Sequence, residues 1–174
     1  ATGDSFNEMA GMYDEPKIAT DISELQSLVG ILEGRVKKDF DTENIASLTE
    51  FPGMRVEIFQ TLVDQNHVKA FILRSFGAGD PSEHLFPAFE YLKEKKIPIV
   101  VTTQAPSGVS NFQVNENGQY LKEHNLAIPA YDMSIESMTT KLAWLLAQNI
   151  GYEQIKIKML EDLHGEINIE SELL

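Results

Sequence analysis

The residues able to do chemistry in this sequence gather at the ends of apolar runs. Arg74 and Ser75 close the run Ala70-Phe71-Ile72-Leu73, and Asp80 closes the glycine-spaced turn Gly77-Ala78-Gly79 that follows. Thr102, Thr103 and Gln104 close a second run, Ile97 to Thr103. Ligands bind open α/β sheets at the carboxyl ends of strands, so these side chains outline a small polar site or an interface. Arg74 is the most informative of them. A buried guanidinium has to be paired, so on an apolar strand it either binds a carboxylate or locks a structural ion pair. The two glycines permit backbone angles that a β-carbon forbids, and they let a ligand or another chain approach closely.

Other chemistries fit less well. Gly77-x-Gly79 after a strand does not complete a dinucleotide fingerprint, because the third glycine belongs at a position held by Ser82. The four histidines, His67, His84, His124 and His164, make no i, i+3 or i, i+4 pair, so neither a metal site nor a cofactor is expected. No serine stands in a G-x-S-x-G elbow. The chain has no cysteine, which removes disulfides and thiolate chemistry together and fits a cytoplasmic location. A net charge of −13 argues against nucleic-acid partners, and Lys93, Lys95 and Lys96 read as the solvated end of a helix. No apolar run approaches the roughly 18 residues that span a bilayer, so no membrane partner is expected. No signal peptide is visible, and the chain opens on Ala1.

The elements that position the candidate residues follow from periodicity. Residues 1–19 lack it and read as an arm or linker; 20–44 is a helical lead-in, capped by Thr20 or Asp21, with Ile22, Leu25, Leu28, Val29 and Leu32 inward. Ile45 to Phe51 is a strand stopped by Pro52-Gly53, and Arg55 to Asp64 a helix. The run through Leu73 has no alternation, as in a parallel strand buried on both faces. Ser82 to Lys96 reads as a helix with Leu85, Phe86, Phe89 and Leu92 inward and Pro87 close to its first turn. After the strand Ile97 to Thr103 come a short helix Gly118 to His124, a doubtful strand at Leu126 to Ile128, a helix started by Asp132-Met133-Ser134, and a helix Tyr152 to Leu163. Alternating strands and helices predict an α/β fold: a small doubly wound, flavodoxin-like parallel sheet of about four strands, over residues 45–170.

Several blocks, in order, closely resemble the C-terminal domain of L-asparaginases, nearest the type I, cytoplasmic branch. They are IASLTEFPGM, AFILRSFGAGDP, IPIVVTTQAPSGV, AYDMSIESMTTKLAWLLAQ and LHGEI, and the likeness runs from about Ile45 to Ile167. The resemblance implies an asparagine amidohydrolase, releasing aspartate and ammonia, that works as a homo-oligomer. It also implies that catalysis lies elsewhere. The family's nucleophilic threonine sits in a TGGTI-type turn, and its second threonine in a TDT-type motif, both in an N-terminal catalytic domain. Neither motif occurs in these residues, so no catalytic residue is assigned and the chain alone is expected to be inactive. The implied role is oligomerisation, here a dimer, and completion or regulation of a neighbour's active site. Arg74, Ser75, Asp80, Thr103, Gln104 and Ala105 are the candidate substrate or effector residues, with asparagine or a related small amino acid as ligand. Asp80 stands where the family usually has Asn, Ala105 where the bacterial enzyme has Cys, and Phe76 where Tyr is usual. Two other roles stay open: a stand-alone amino-acid-sensing module, and part of an amidotransferase subunit.

Overall fold

The computed structural model describes residues 40–105 and 108–169. The arm expected over 1–19, and the lead-in helix as far as residue 39, lie outside the described residues. The polar turn Asp41 to Asn44 is held by Asn44 Nδ2 donating to Asp41 Oδ1 at 2.6 Å and by the Lys69–Asp41 ion pair at 2.7 Å.

Four parallel strands follow in one sheet: β1 Ile45–Thr49, β2 Ala70–Ser75, β3 Ile99–Thr103 and β4 Ile128–Pro129. Their spatial order is their chain order, and each is joined to the next through a helix: α1 Glu57–Asn66, α2 Phe86–Glu94 and α3 Glu116–Glu123. Crossovers of one hand along a sequential sheet put all three helices on the same face. The core bears this out. Phe59 of α1, Phe89 and Leu92 of α2 and Leu121 of α3 pack with Phe71, Leu73, Ile99 and Val101. The opposite face, Ala70, Ile72, Val100 and Ile128, is covered by the last two helices, α4 Ile135–Ala147 and α5 Tyr152–Met159. The expected α/β architecture, a four-strand parallel sheet flanked by helices, is therefore present.

β2 lacks alternation because both its faces are covered: Ala70 through Leu73 are fully buried. Phe71, Ile72 and Leu73 each contribute about 1.5–3 kcal/mol of transfer free energy. Phe59 and Phe71 add an aromatic contact at 5.4 Å between ring centroids.

Local chemistry sets the ends of the elements. The Ser134 side chain caps α4 by accepting from the Ser137 amide. The helix expected from Ser82 begins at Phe86, after a short 3-10 turn Glu83–Leu85. Pro87 fits its first turn, where no N–H is needed, and Ser82 is held extended. The last helix stops at Met159 rather than Leu163. The residues beyond it fold back so that the Glu166 carboxylate meets Lys141 Nζ at 2.6 Å and accepts from the His164 amide at 2.7 Å. No helix among the described residues is long and apolar enough to cross a membrane.

Candidate functional site

Strand register sorts the polar residues at the carboxyl edge into two rows. Thr49, Arg74 and Thr102 are register partners across β1, β2 and β3, as are Ser75 and Thr103. Successive side chains on a strand point to opposite faces. Ser75 and Thr103 therefore share the face of α1 to α3, and Arg74 shares the α4 face with Ala70 and Ile72. Adjacent in sequence, Arg74 and Ser75 do not form one site. Arg74 is also exposed, so the premise of a buried guanidinium needing a partner is corrected. It is the one exposed position of β2, between buried Leu73 and buried Ser75.

The α1 to α3 row is organised by a residue that the sequence expectations leave out. Glu50 follows β1 in step with Ala46 and Leu48, so the inward parity of the strand carries its carboxylate to the core side. It is 2 % exposed. The Ser75 hydroxyl donates to Glu50 Oε2, the Ser82 amide donates to Oε1 at 2.9 Å, and Gln104 Nε2 reaches the Glu50 carbonyl at 3.5 Å. A buried carboxylate with each oxygen occupied satisfies the rule for buried charge. The signal was present in the i, i+2 spacing of Ala46, Leu48 and Glu50.

The glycine turn hangs from this network. The Asp80 amide donates to the Phe76 carbonyl at 2.8 Å, and Thr103 Oγ1 donates to the Gly77 carbonyl while accepting from the Ala105 amide at 2.9 Å. Gly77 and Gly79 have φ of 49° and 74°, the left-handed region that glycine occupies without strain. Among the described residues, nothing lies within 4 Å of a β-carbon placed on Gly77. Gly79 is different: a β-carbon there would lie 2.3 Å from Ser110 Oγ. Its close neighbour is this chain's own Ser110, which donates to the Val101 carbonyl at 2.8 Å. The stretch Ser110 to Gly118 buttresses the turn from behind. The Asn111 amide donates to the Ala78 carbonyl at 3.0 Å, and Asn117 Nδ2 donates to the Pro81 carbonyl at 3.0 Å.

Asp80 is the electrostatically unusual member. Burial raises its carboxyl pKa, the Gly118 amide it accepts from works the other way, and the nearby negative charge of Glu50 raises it again; the net is a rise. Its Oδ1 is buried with no hydrogen-bond partner among the described residues. Gln104 and Ala105 are exposed, with the Gln104 amide donating to the Ser75 carbonyl at 2.9 Å. The structure thus joins Ser75, Asp80, Thr103 and Gln104 around one turn, leaves Ala105 at its margin, and separates Arg74 from them. Among the described residues no three His, Asp or Glu side chains converge as a metal cage requires.

Residues 44–159 match the Glutaminase/Asparaginase C-terminal domain family. Over 126 residues, 72 % of this chain and 29 % of the relative, the sequence is 36 % identical to the D subunit of glutamyl-tRNA(Gln) amidotransferase from Methanococcus maripaludis. It is 32 % identical to L-asparaginase 1 of Escherichia coli over 125 residues, 71 % of this chain and 36 % of the relative. Two solved structures are similar. L-asparaginase I from Vibrio cholerae has a TM-score of 0.65 at 33 % identity, over 73 % of this chain and 38 % of that one. The thermostable L-asparaginase from Thermococcus kodakarensis has a TM-score of 0.67 at 28 % identity, over 75 % and 39 %. The matched region spans about a third of the length of these relatives.

Proposed function

This chain belongs to the glutaminase/asparaginase C-terminal domain family, and from that premise we propose that it serves as the non-catalytic half of an asparagine or glutamine amidohydrolase. In this reading it oligomerises in the cytoplasm and lays the carboxyl edge of its sheet against a catalytic domain carrying the threonine nucleophile. The observation that supports this most is the state of the glycine turn. It is anchored to Glu50 through Ser75 and Ser82, to β3 through Thr103, and to the Ser110–Gly118 stretch behind. Among the described residues, a β-carbon placed on Gly77 meets nothing within 4 Å. A turn anchored on three sides, beside exposed polar groups, has the form of half a site, with ligand and nucleophile arriving from the other half. Arg74, on the other face, is left to a separate effector role.

The test is coupled detection of ammonia. The purified chain releases none from asparagine or glutamine, and mixing it with an isolated asparaginase catalytic domain raises that domain's rate. Ammonia release by the chain alone, or no effect in the mixture, overturns the reading. A second reading, as part of an amidotransferase, is favoured by the 36 % identity to the glutamyl-tRNA(Gln) amidotransferase of Methanococcus maripaludis. It predicts that the mixture prefers glutamine. With a net charge of −13, tRNA contact would fall to another chain of the assembly.

A further inference from the structure

In a chain of net charge −13, lysines converge on the carboxyl end of α3. Lys93 Nζ donates to the His124 carbonyl at 2.7 Å. Lys156 Nζ, from α5, donates to the Asn125 carbonyl at 2.9 Å and to Asn125 Oδ1. Exposed carbonyls and the negative end of the helix dipole explain why ammonium groups collect there. That explanation uses two of the three donors on Lys156.

The environment of the third is unusual for lysine. Lys156 is 7 % exposed, and no carboxylate lies within ion-pair distance of it among the described residues. The Tyr152 ring, its centroid 5.0 Å from Nζ, supplies part of the missing compensation. Burial lowers the Lys156 pKa, Glu153 raises it and Lys93 lowers it again, with a net fall. A buried cation without a counter-ion is costly. Beside it opens a cleft of about 250 Å³ at the β4 edge of the sheet, walled by Phe112, Ile128, Pro129 and Ile157. Lys122 and Lys156 face it, with Glu153 the one carboxylate against two ammonium groups. Ligand sites for larger molecules run from about 300 Å³ upward, so this cleft suits a compact one.

We propose that the cleft binds a small organic carboxylate, its carboxyl group between Lys156 and Lys122 and its apolar body against Phe112, Ile128 and Ile157. None of Glu50, Ser75, Asp80 and Thr103 lines this cleft, and the inference does not depend on the amidohydrolase reading.

The test is heteronuclear NMR of the isotope-labelled chain titrated with benzoate, inorganic phosphate and benzyl alcohol. Benzoate is expected to shift the amides of residues 111–112, 125–128, 130–131 and 153–160 saturably, and more strongly than either other probe. Lys156→Met should weaken it about tenfold and Lys122→Met about threefold, while Lys158→Met, outside the cleft lining, leaves it unchanged. Should Lys156→Met lose its dispersed spectrum, Lys122→Met on the exposed rim decides alone. No benzoate shifts at these amides, equal binding of benzyl alcohol or phosphate, or indifference to Lys122→Met overturns the proposal.

Discussion

The Ser75 hydroxyl donates to the buried carboxylate of Glu50 from the next strand, 25 positions away in sequence. The same carboxylate accepts from the Ser82 amide, so one side chain ties the end of β2 to the segment leading into α2. Removing the carboxylate strands two donors at once. Glu50→Ala is expected to lower the free energy of unfolding by about 2–4 kcal/mol, and Ser75→Ala by about 1 kcal/mol. Because the two residues share one bond, the double variant should lose less than the sum of the singles. Urea unfolding of the four proteins measures the coupling. Strict additivity would remove Glu50 as the organiser of the turn.

Asp80 carries its strain in the ionised form. A carboxyl whose pKa is raised in the folded state favours folding below the ordinary aspartate value of 3.8 and loses that contribution as pH rises through the raised value. At neutral pH the ionised group is a cost. Asp80→Asn removes the charge and puts an amide where Oδ1 has no donor. Its melting temperature at pH 7 should rise by about 1–3 °C, with the gain gone below pH 3.8. Thermal melts across pH read this directly, and a lower melting temperature at pH 7 contradicts the account.

The pair Lys141–Glu166 behaves in the opposite sense. The side chains are 4 % and 15 % exposed at 2.6 Å. Burial pushes the Glu166 carboxyl up, but the Lys141 ammonium and the His164 and Leu163 amides together bring it down to about 2. A depressed pKa means stability present above the unfolded value of 4.5 and lost as pH falls towards 2. Glu166→Gln leaves the Lys141 charge buried without a counter-ion and should cost about 3 kcal/mol at pH 7. The gap between wild type and Glu166→Gln should close between pH 4.5 and 2. A gap that stays constant through that window would assign the stabilisation to packing instead.

The elements were legible where one periodicity dominated. The unbroken apolar run of β2 and the heptad-like spacing of Met138, Leu142 and Leu145 in α4 both announced their environments. The turn was legible as a turn from its glycines. Less visible was what approaches it: Ser110 lies 31 positions downstream, and only the closed fold brings it to Gly79. Glu50 was hidden because a carboxylate reads as solvent-facing unless strand parity is followed past the last apolar residue. Arg74 misled for the converse reason. An arginine beside four buried residues looks buried, yet it is the one exposed position of β2.

The sequential order of the strands has a consequence for how this chain reaches its native state. β2 to β4 can each pair with the strand made just before, and α1 to α3 close the first face as the chain lengthens. Among the described residues, most of the cover on the second face comes from residues 135–159. Until those helices are made, Ala70, Ile72, Val100 and Ile128 lack their cover and present apolar surface. Such a surface is the stage at which a nascent chain is open to aggregation or chaperone capture. A chain truncated before Ile135 would hold that species, and α4 and α5 act as its late seal.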